Sequence, residues 1–298
     1  MIVTESLAKQ TKDILNKNNI RLNKNLGQNY LIDRNKRDQI VNFANLTKND
    51  VVLEIGPGIG TLTTELADKA KKIIAIEQDS NISSILEKRL ADEGIDNVEV
   101  INEDAVICDF PYFNKIVSNL PYQISSPITF KFLNYDFDLA ILMYQKEFAS
   151  RMNGKVGTKD YSRLSAMLYF KCDVELLTSV SSESFIPKPK IDSSVVKLTP
   201  QMLALGDKLN NVNEEISDED FAIYSKYTKA LFQHRNKKAR NALIDSRHVI
   251  SSLDKKEFRN ILNEITSTKI NNLLLERVIK IPPEDILYLS KFLNDKYV

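Results

Sequence analysis

Four consecutive residues, Asn119-Leu120-Pro121-Tyr122, combine a side-chain amide, a rigid imide and an aromatic ring directly after a short apolar run. The Asn119 side-chain oxygen and the Pro121 carbonyl oxygen are hydrogen-bond acceptors, and Tyr122 offers a flat ring for stacking. Two acceptors placed against the N–H groups of an amine on an aromatic ring draw its nitrogen toward tetrahedral geometry and free its lone pair. A capped turn with a packed tyrosine is the alternative interpretation of this tetrapeptide alone.

Glycines mark a second candidate site. Three of the eight glycines in the chain fall within five residues, in "EIGPGIG", at Gly56, Gly58 and Gly60. Glycine at a turn from strand to helix permits positive φ and lets a ligand approach the backbone. Dinucleotide-binding folds use G-x-G-x-x-G, whereas here the third glycine stands one place early and Pro57 occupies the turn. We therefore do not expect a pyrophosphate cradle.

Acidic residues end the next two predicted strands, at Glu77 in "IIAIEQD" and at Asp104 in "INEDA". This set suits S-adenosylmethionine, which has no phosphates. Its methionine portion would lie by Gly56 to Gly60, its ribose hydroxyls would meet Glu77, and its adenine amino group would meet Asp104. For each acid alone, an ordinary strand end is the alternative.

A target base buried in a duplex cannot reach such a site, so it must be extruded or already unpaired. The loop "SESFIPKPKIDS" offers Phe185 as a second stacking residue, and Lys188 and Lys190 as phosphate contacts. Phe185 would otherwise belong in the core.

Basic residues are clustered, although the formal net charge is only +1. Eight Lys or Arg, including Lys24, and two Asp lie between Lys9 and Arg37. A second cluster contains Arg235, Lys237, Lys238 and Arg240. Clustered basic charge is typical of phosphate binding, and solvated helix faces are the alternative for either cluster.

The predicted elements that must position these residues are strands and helices that alternate along the chain. From Asp50, short β-branched runs such as "VVLEI", "KIIAIE" and "KIVSNL" are separated by helical patterns. This order predicts an α/β fold with a doubly wound, mostly parallel sheet. The last two strand candidates, "VELLTSV" and "SSVVKLTP", are expected to form an antiparallel hairpin at the sheet edge. After Pro200 only helical patterns follow, so we expect an S-adenosylmethionine-binding methyltransferase domain with a basic N-terminal arm over 1–199 and a helical domain over 200–298 whose basic cluster contacts phosphates.

Other classes of protein fit the composition poorly. No apolar run approaches the length of a membrane span, and no apolar signal-peptide core stands at the start, which favours a cytoplasmic protein without membrane contact. Two isolated cysteines, Cys108 and Cys172, predict neither disulfides nor a metal site.

These motifs together resemble the KsgA-type ribosomal RNA adenine dimethyltransferases, which are related to the erythromycin-resistance rRNA methylases. The resemblance covers nearly the whole chain and is closer to the archaeal and eukaryotic branch. It rests on "LGQNYLID", "EIGPGIGTLT", "NLPYQISSPI", "FIPKPKIDSSVV" and "FQHRNKKARNAL".

The resemblance implies a Rossmann-like class I methyltransferase fold with a seven-stranded sheet. It also implies that Asn29 and Leu31 close over the cofactor, with Gln28 near it, and that Asn119 serves both cofactor and target amine. Family members transfer four methyls to two neighbouring adenines in a hairpin near the 3′ end of small-subunit rRNA. They act as monomers on a pre-assembled subunit.

Two other functions compete with this one. The first is a ribosome-assembly or transcription factor that binds RNA without needing catalysis. The intact glycine loop, Glu77 and Asn119 argue against such a loss of activity. The second is an NAD-dependent oxidoreductase, which the shortened glycine pattern disfavours.

Overall fold

The computed structural model describes residues 6–20, 29–201 and 216–297, and of Lys296 and Tyr297 only the backbone. The chain divides into two compact units, residues 1–149 with 173–203 and residues 150–172 with 204–298. The change to purely helical patterns predicted one boundary, between residues 199 and 200, and no local pattern indicated that 150–172 joins the second unit. The described parts contain no helix long and apolar enough to cross a membrane.

The first unit is built on a seven-stranded sheet with the order β4-β3-β2-β5-β6-β9-β7. Neighbours from β4 to β6 run parallel, and β9 runs antiparallel to β6. The strands are β2 (Val51–Ile55), β3 (Lys72–Ile76), β4 (Val98–Ile101), β5 (Lys115–Asn119), β6 (Leu139–Gln145), β7 (Cys172–Val180) and β9 (Ser193–Pro200).

Continuous apolar runs form the central strands because both faces of the sheet are covered. In β2, Val52 and Leu53 are fully buried although successive side chains point to opposite faces. The covering helices are α1 (Leu7–Lys17), α2 (Arg34–Phe43), α3 (Thr63–Lys69), α4 (Ser80–Asp92) and α5 (Ser125–Phe132). Asp79 caps α4, since its Oδ1 accepts hydrogen bonds from the backbone N–H groups of Asn81 and Ile82.

A second, two-stranded sheet lies in the same unit. It pairs β1 (Tyr30–Leu31) antiparallel with β8 (Phe185–Ile186), in the register Tyr30↔Ile186 and Leu31↔Phe185. The α1 residue Leu15 shares a small apolar cluster with Tyr30 and with Ile59 of the glycine loop. This pairing and this cluster bring the N-terminal part of the chain onto the glycine loop.

The second unit is helical. Its helices are α7 (Arg163–Tyr169), α8 (Asp218–Phe232), α9 (Ala239–Asp245), α10 (Lys255–Asn263), α11 (Thr268–Leu275) and α12 (Pro283–Tyr297), and the division between the units falls within α6 (Lys146–Met152). Segment 150–172 belongs here because Tyr224 Oη of α8 donates a 2.8 Å hydrogen bond to the Ala166 carbonyl of α7, and Tyr161 Oη donates one of 2.8 Å to the Ile281 carbonyl.

The predicted fold class is confirmed: the seven-stranded sheet is mostly parallel, and the C-terminal region is helical. The last two strand candidates are neighbours at the sheet edge, with β7 outermost. The sequence patterns did not predict α1, α2, α6, α11 or the β1–β8 pair. Strands of two residues are too short to show a period in the sequence.

Candidate active site

The carboxyl ends of β2, β3, β4 and β5 lie at one edge of the sheet because these strands are parallel. At these ends lie, in chain order, the glycine loop, Glu77, the Asp104 loop and the Asn119–Tyr122 motif. Open α/β sheets bind ligands at this edge. The topology therefore brings the predicted site residues of four separate segments into one cleft, lined by Gly56, Gly58, Glu77, Asp104, Asn119, Pro121 and Tyr122, and by Asn29 and Leu31 of the N-terminal motif.

Two positions in the glycine loop, Gly56 and Gly58, require a residue without a side chain. Gly56 and Gly58 have φ of +67° and +58°, which L residues rarely adopt. A Cβ on Gly56 would lie 2.8 Å from Pro121 Cγ, and one on Gly58 would lie 2.6 Å from Tyr30 Cε1. The loop is thus in direct contact with the Asn119–Tyr122 motif on one side and with β1 on the other.

Glu77 is held by backbone amides. Its Oε2 accepts a 3.2 Å hydrogen bond from the Gly58 N–H, and its Oε1 accepts one of 3.0 Å from the Asp79 N–H. The side chain is buried, and this burial raises the pKa of the carboxyl above its ordinary value while the two amides oppose the rise. A fixed, poorly solvated carboxylate of this kind suits two neighbouring hydroxyl donors.

Asp104 is the third residue of the loop after β4 and is half-buried. Its Oδ1 accepts a 2.8 Å hydrogen bond from the Val106 N–H, and its Oδ2 lies 3.4 Å from Gln78 Nε2. The first contact fixes the carboxylate within its own loop. The second is long and weak, so Oδ2 keeps capacity to accept a hydrogen bond from a ligand.

Asn119 is the last residue of β5. Its Nδ2 donates a 3.0 Å hydrogen bond to the backbone carbonyl of Asn29. That contact orients the amide, and no donor to its side-chain oxygen is found in the described parts of the chain. Asn119 therefore presents an acceptor, as the sequence interpretation requires, and the N-terminal motif is what orients it.

Pro121 and Tyr122 complete the motif. The Pro121 carbonyl accepts a 3.2 Å hydrogen bond from the Ile124 N–H, which leaves its second lone pair for another donor. Tyr122 Oη lies 2.7 Å from Ser193 Oγ of β9, and burial raises the pKa of the phenol. The hydrogen bond to Ser193 holds the ring of Tyr122 in the cleft wall.

The charge of the cleft distinguishes between ligand classes. Four carboxyl groups line it, and none of its described lining residues is Lys, Arg or His. They are Glu54, Glu77, Glu103 and Asp104. Such a lining repels a pyrophosphate and favours a cationic ligand. S-adenosylmethionine fits, since it carries a sulfonium and an amino group, and since the cradle at Gly56 and Gly58 is one that a Cβ would fill.

Comparison with known proteins identifies the family. The family model described as ribosomal RNA adenine dimethylase matches residues 19–282. The chain belongs to this family. It is 48% identical over 284 residues to a probable ribosomal RNA small subunit methyltransferase A from Methanosphaera stadtmanae, covering 95% of this chain and 98% of that protein.

Two solved structures that resemble this chain support the same family. A dimethyladenosine transferase from Plasmodium falciparum has a TM-score of 0.70 at 31% identity, over 90% of this chain and 98% of the other. The 23S rRNA methyltransferase ErmE has a TM-score of 0.59 at 25% identity, over 88% of this chain and 98% of the other. The resemblance found in the sequence is confirmed, and with it the enzyme class of an rRNA adenine dimethyltransferase. The family and fold imply S-adenosylmethionine as methyl donor.

For this rRNA adenine dimethylase, one predicted site residue needs correction. Phe185 was expected to stack on the target base, but its side chain is only 2% exposed and belongs to the main apolar core with Leu31 and Val195. The reason is the β1–β8 pairing, which sets Phe185 opposite Leu31. Phe185 does not line the cleft, so in this structure the core interpretation of that residue holds.

The basic residues predicted to contact RNA differ in whether their charged group already has a partner within the protein. Lys188 forms an ion pair with Glu183, Lys237 pairs with Asp245 at 2.8 Å, and Arg240 donates to Asn263 Oδ1. Arg235 donates to the carbonyls of Lys159 and Tyr161 at 2.8 and 3.2 Å.

Lys190 and Lys238 are exposed, and neither has an ion pair within the ranges that the structure describes. These two lysines therefore keep their charge available. Lys24 and Gln28 lie outside the described residues.

Tyr30 and Glu54 are among the lining residues that were not singled out from the sequence. The signal for Glu54 is its charge within the otherwise apolar strand "VVLEI". Tyr30 had no signal of its own, because its role as the neighbour of Gly58 depends on how β1 folds back onto the loop.

Proposed function

We propose that this protein transfers methyl groups from S-adenosylmethionine to the N6 amino groups of two adjacent adenosines in a hairpin near the 3′ end of small-subunit rRNA. Its substrate is a pre-assembled small subunit, and it acts as a monomer in the cytoplasm. The observation that carries the proposal is the contact between Gly56 and Pro121. It joins a loop suited to the donor directly to a motif suited to an aromatic amine.

The donor side of the cleft fits the cofactor by named atoms. Bound S-adenosylmethionine supplies an electrophilic methyl group on a good leaving group. Glu77 accepts hydrogen bonds from ribose hydroxyls, and Asp104 accepts one from the adenine amino group. Because amides of Gly58 and Asp79 already fix Glu77, little reorganisation is needed when the ligand arrives.

On the acceptor side, the chain's own oxygens activate the amine. Asn119 Oδ1 and the Pro121 carbonyl accept hydrogen bonds from the two N–H groups of adenine N6, and Tyr122 stacks on the base. The nitrogen lone pair is thereby withdrawn from the ring and becomes available. Catalysis then depends on position and electrostatics, and the surplus proton leaves to solvent without a strong general base.

The target adenine must be unstacked to enter. Lys190 and Lys238 then contact phosphates of the surrounding RNA, with Lys24, Lys188, Arg235, Lys237 and Arg240 as the other predicted contacts. The higher identity to a small-subunit enzyme, 48% against 25% for the 23S rRNA enzyme, supports the small-subunit target.

The experiment is methyl transfer from labelled S-adenosylmethionine to unmethylated small subunits, to large subunits and to protein-free small-subunit rRNA. We expect label in the small subunits, much less in naked rRNA and none in large subunits. Label confined to large subunits contradicts the target, and equal label in naked rRNA contradicts the requirement for a pre-assembled particle.

A further inference from the structure

Arg89 is a cation on the outer side of the glycine loop, and the mechanism above does not use it. It lies in the last turn of α4, and only 17% of its side chain is exposed. Its Nη1 donates a 2.8 Å hydrogen bond to the backbone carbonyl of Ile59, and its Nε forms a 2.7 Å ion pair with Glu93. Ile59 stands between Gly58 and Gly60, so Arg89 contacts the middle of the loop.

The carbonyl of Ile59 needs this partner. Ile59 is fully buried, and no donor to its carbonyl other than Arg89 is found among the described residues. A buried carbonyl without a donor costs free energy. The residues on either side of Ile59 are glycines with φ of +58° and +88°, and glycine loses more conformational freedom on ordering than any other residue. The loop therefore requires outside contacts to hold a single conformation.

Helix α4 supplies such contacts from both of its ends. At its N-terminus, the Asp79 N–H donates to Glu77 Oε1, while Glu77 Oε2 accepts the Gly58 N–H. In its last turn, Arg89 holds the next residue of the loop, Ile59. Helical side chains are tilted toward the N-terminus of their helix, which directs Arg89 back to a loop that lies beside that end. One helix thus holds the loop and Glu77 in a fixed arrangement.

We propose that Arg89 is a positioning residue for the methyl donor, because it fixes the Ile59 carbonyl and gives the glycine loop its binding conformation before the ligand arrives. This rests on the proposed function, since it requires S-adenosylmethionine as the ligand. Arg89 does not line the cleft, so it acts only through the loop. Without it, ordering the loop becomes a cost of binding. Donor binding should therefore weaken, while the transfer step at Asn119 should keep its rate.

The test is isothermal titration calorimetry with S-adenosylhomocysteine on wild-type protein and three variants. Arg89→Met keeps an unbranched side chain and removes every donor. Arg89→Lys keeps the charge, but its single ammonium group cannot reproduce both contacts of the guanidinium. Glu93→Ala is the matched control, because it removes the ion-pair partner and leaves the bond from Arg89 to Ile59. Initial rates of methyl transfer to small subunits at varied donor give KM and kcat, and thermal unfolding identifies a temperature at which the proteins are folded.

We expect Arg89→Met to weaken S-adenosylhomocysteine binding by roughly five- to thirtyfold, as for loss of a hydrogen bond from a charged donor to a buried carbonyl. Its KM for the donor should rise by a similar factor, while kcat at saturating donor stays within about twofold of wild type. Arg89→Lys should lose about three- to tenfold in affinity, since one of its two contacts is lost. Glu93→Ala should stay within about twofold of wild type in affinity, KM and kcat.

Wild-type affinity in folded Arg89→Met overturns the proposal, even where that variant melts at a lower temperature, because the contact is then merely structural. A fall in kcat with unchanged KM overturns it as well. If Arg89→Met does not fold, unchanged affinity in Arg89→Lys, or an equal loss in Glu93→Ala, has the same consequence. If wild-type protein does not bind S-adenosylhomocysteine, the proposed function fails instead and the inference falls with it. Tight binding by wild type and by every variant leaves the proposed function intact and removes only the role of Arg89.

Discussion

The backbone N–H of Gly58 donates a 3.2 Å hydrogen bond to Oε2 of Glu77. Two segments that the sequence separates by 19 residues are therefore joined at the cleft, one from the end of β2 and one from the end of β3. The bond fixes the carboxylate, and it requires the positive φ of Gly58 to aim the N–H. The loop and the acid are one unit, so a change in either should affect donor binding.

Gly58→Ala tests this unit. Its new Cβ would lie 2.6 Å from Tyr30 Cε1 at a φ of +58°, so either the loop or β1 must move. We expect at least a tenfold loss of S-adenosylhomocysteine affinity by calorimetry. Gly94→Ala is the matched control, because Gly94 has φ +68° but nothing within 4 Å of its Cβ position. It should lose about 1 kcal/mol of unfolding free energy and keep its affinity. Equal affinity losses in both variants would count against the contact with Tyr30.

Glu54→Gln should change the pH dependence of stability in the ligand-free protein. The folded pKa of Glu54, about 8, lies above the ordinary value of about 4.3. The unfolded chain therefore loses this proton first, and the stability contributed by the protonated form declines as pH rises from about 4.3 to about 8. We expect Glu54→Gln to unfold at a higher temperature than wild type at about pH 8, with a smaller difference near pH 5. The same difference in unfolding temperature between Glu54→Gln and wild type at about pH 5 and at about pH 8 would contradict the buried, protonated state.

Phe185 can be assigned to core or site by comparing two substitutions. Because the side chain is 2% exposed, Phe185→Ala should cost about 3–5 kcal/mol of unfolding free energy. Phe185→Leu keeps most of the apolar volume and should retain most methyl transfer at a temperature where it is folded. Denaturant unfolding and turnover of the two variants check this. Loss of turnover in Phe185→Leu without loss of stability would restore the stacking role.

Lys238 should contribute to rRNA affinity through a counterion-dependent contact. Its ammonium group is exposed and has no ion pair in the part of the chain that the structure describes, whereas Lys237 is paired with Asp245. Lys238→Ala should reduce the slope of log affinity against log salt by about 0.7–0.9, measured by filter binding to small subunits. Lys72→Ala, which removes a surface lysine paired with Glu99, is the control. An unchanged slope in Lys238→Ala would remove this residue from the interface.

Much of the sheet and of the cleft follows from local pattern. Apolar runs predicted the central strands because these are covered on both faces. The glycine loop, Glu77, Asp104 and Asn119 all lie at or within three residues of the carboxyl ends of parallel strands, which places them at one edge. Serine is a preferred N-cap residue, and Ser217 caps α8 because its Oγ accepts a 3.1 Å hydrogen bond from the Asp220 N–H.

What sequence analysis missed depends on contacts between distant segments. Phe185 stands among turn-forming residues and looks exposed, but β8 pairs with β1 more than 150 residues earlier, which buries it. The orientation of Asn119 by the Asn29 carbonyl is of the same kind. Residues 150–172 join the helical unit through hydrogen bonds of Tyr161 and Tyr224 that no local pattern reveals.

The central claim is that Asn119 activates the N6 amine of two adjacent small-subunit adenosines. Its most direct test is mass analysis of small-subunit rRNA fragments after incubation of unmethylated subunits with isotope-labelled S-adenosylmethionine and either wild-type protein, Asn119→Ala or the control Gln123→Ala, an exposed residue of the cleft rim. We predict two neighbouring dimethyladenosines near the 3′ end with wild type and Gln123→Ala. Asn119→Ala should yield none while still binding subunits. Label at another position, or near-normal dimethylation by Asn119→Ala, would contradict the account.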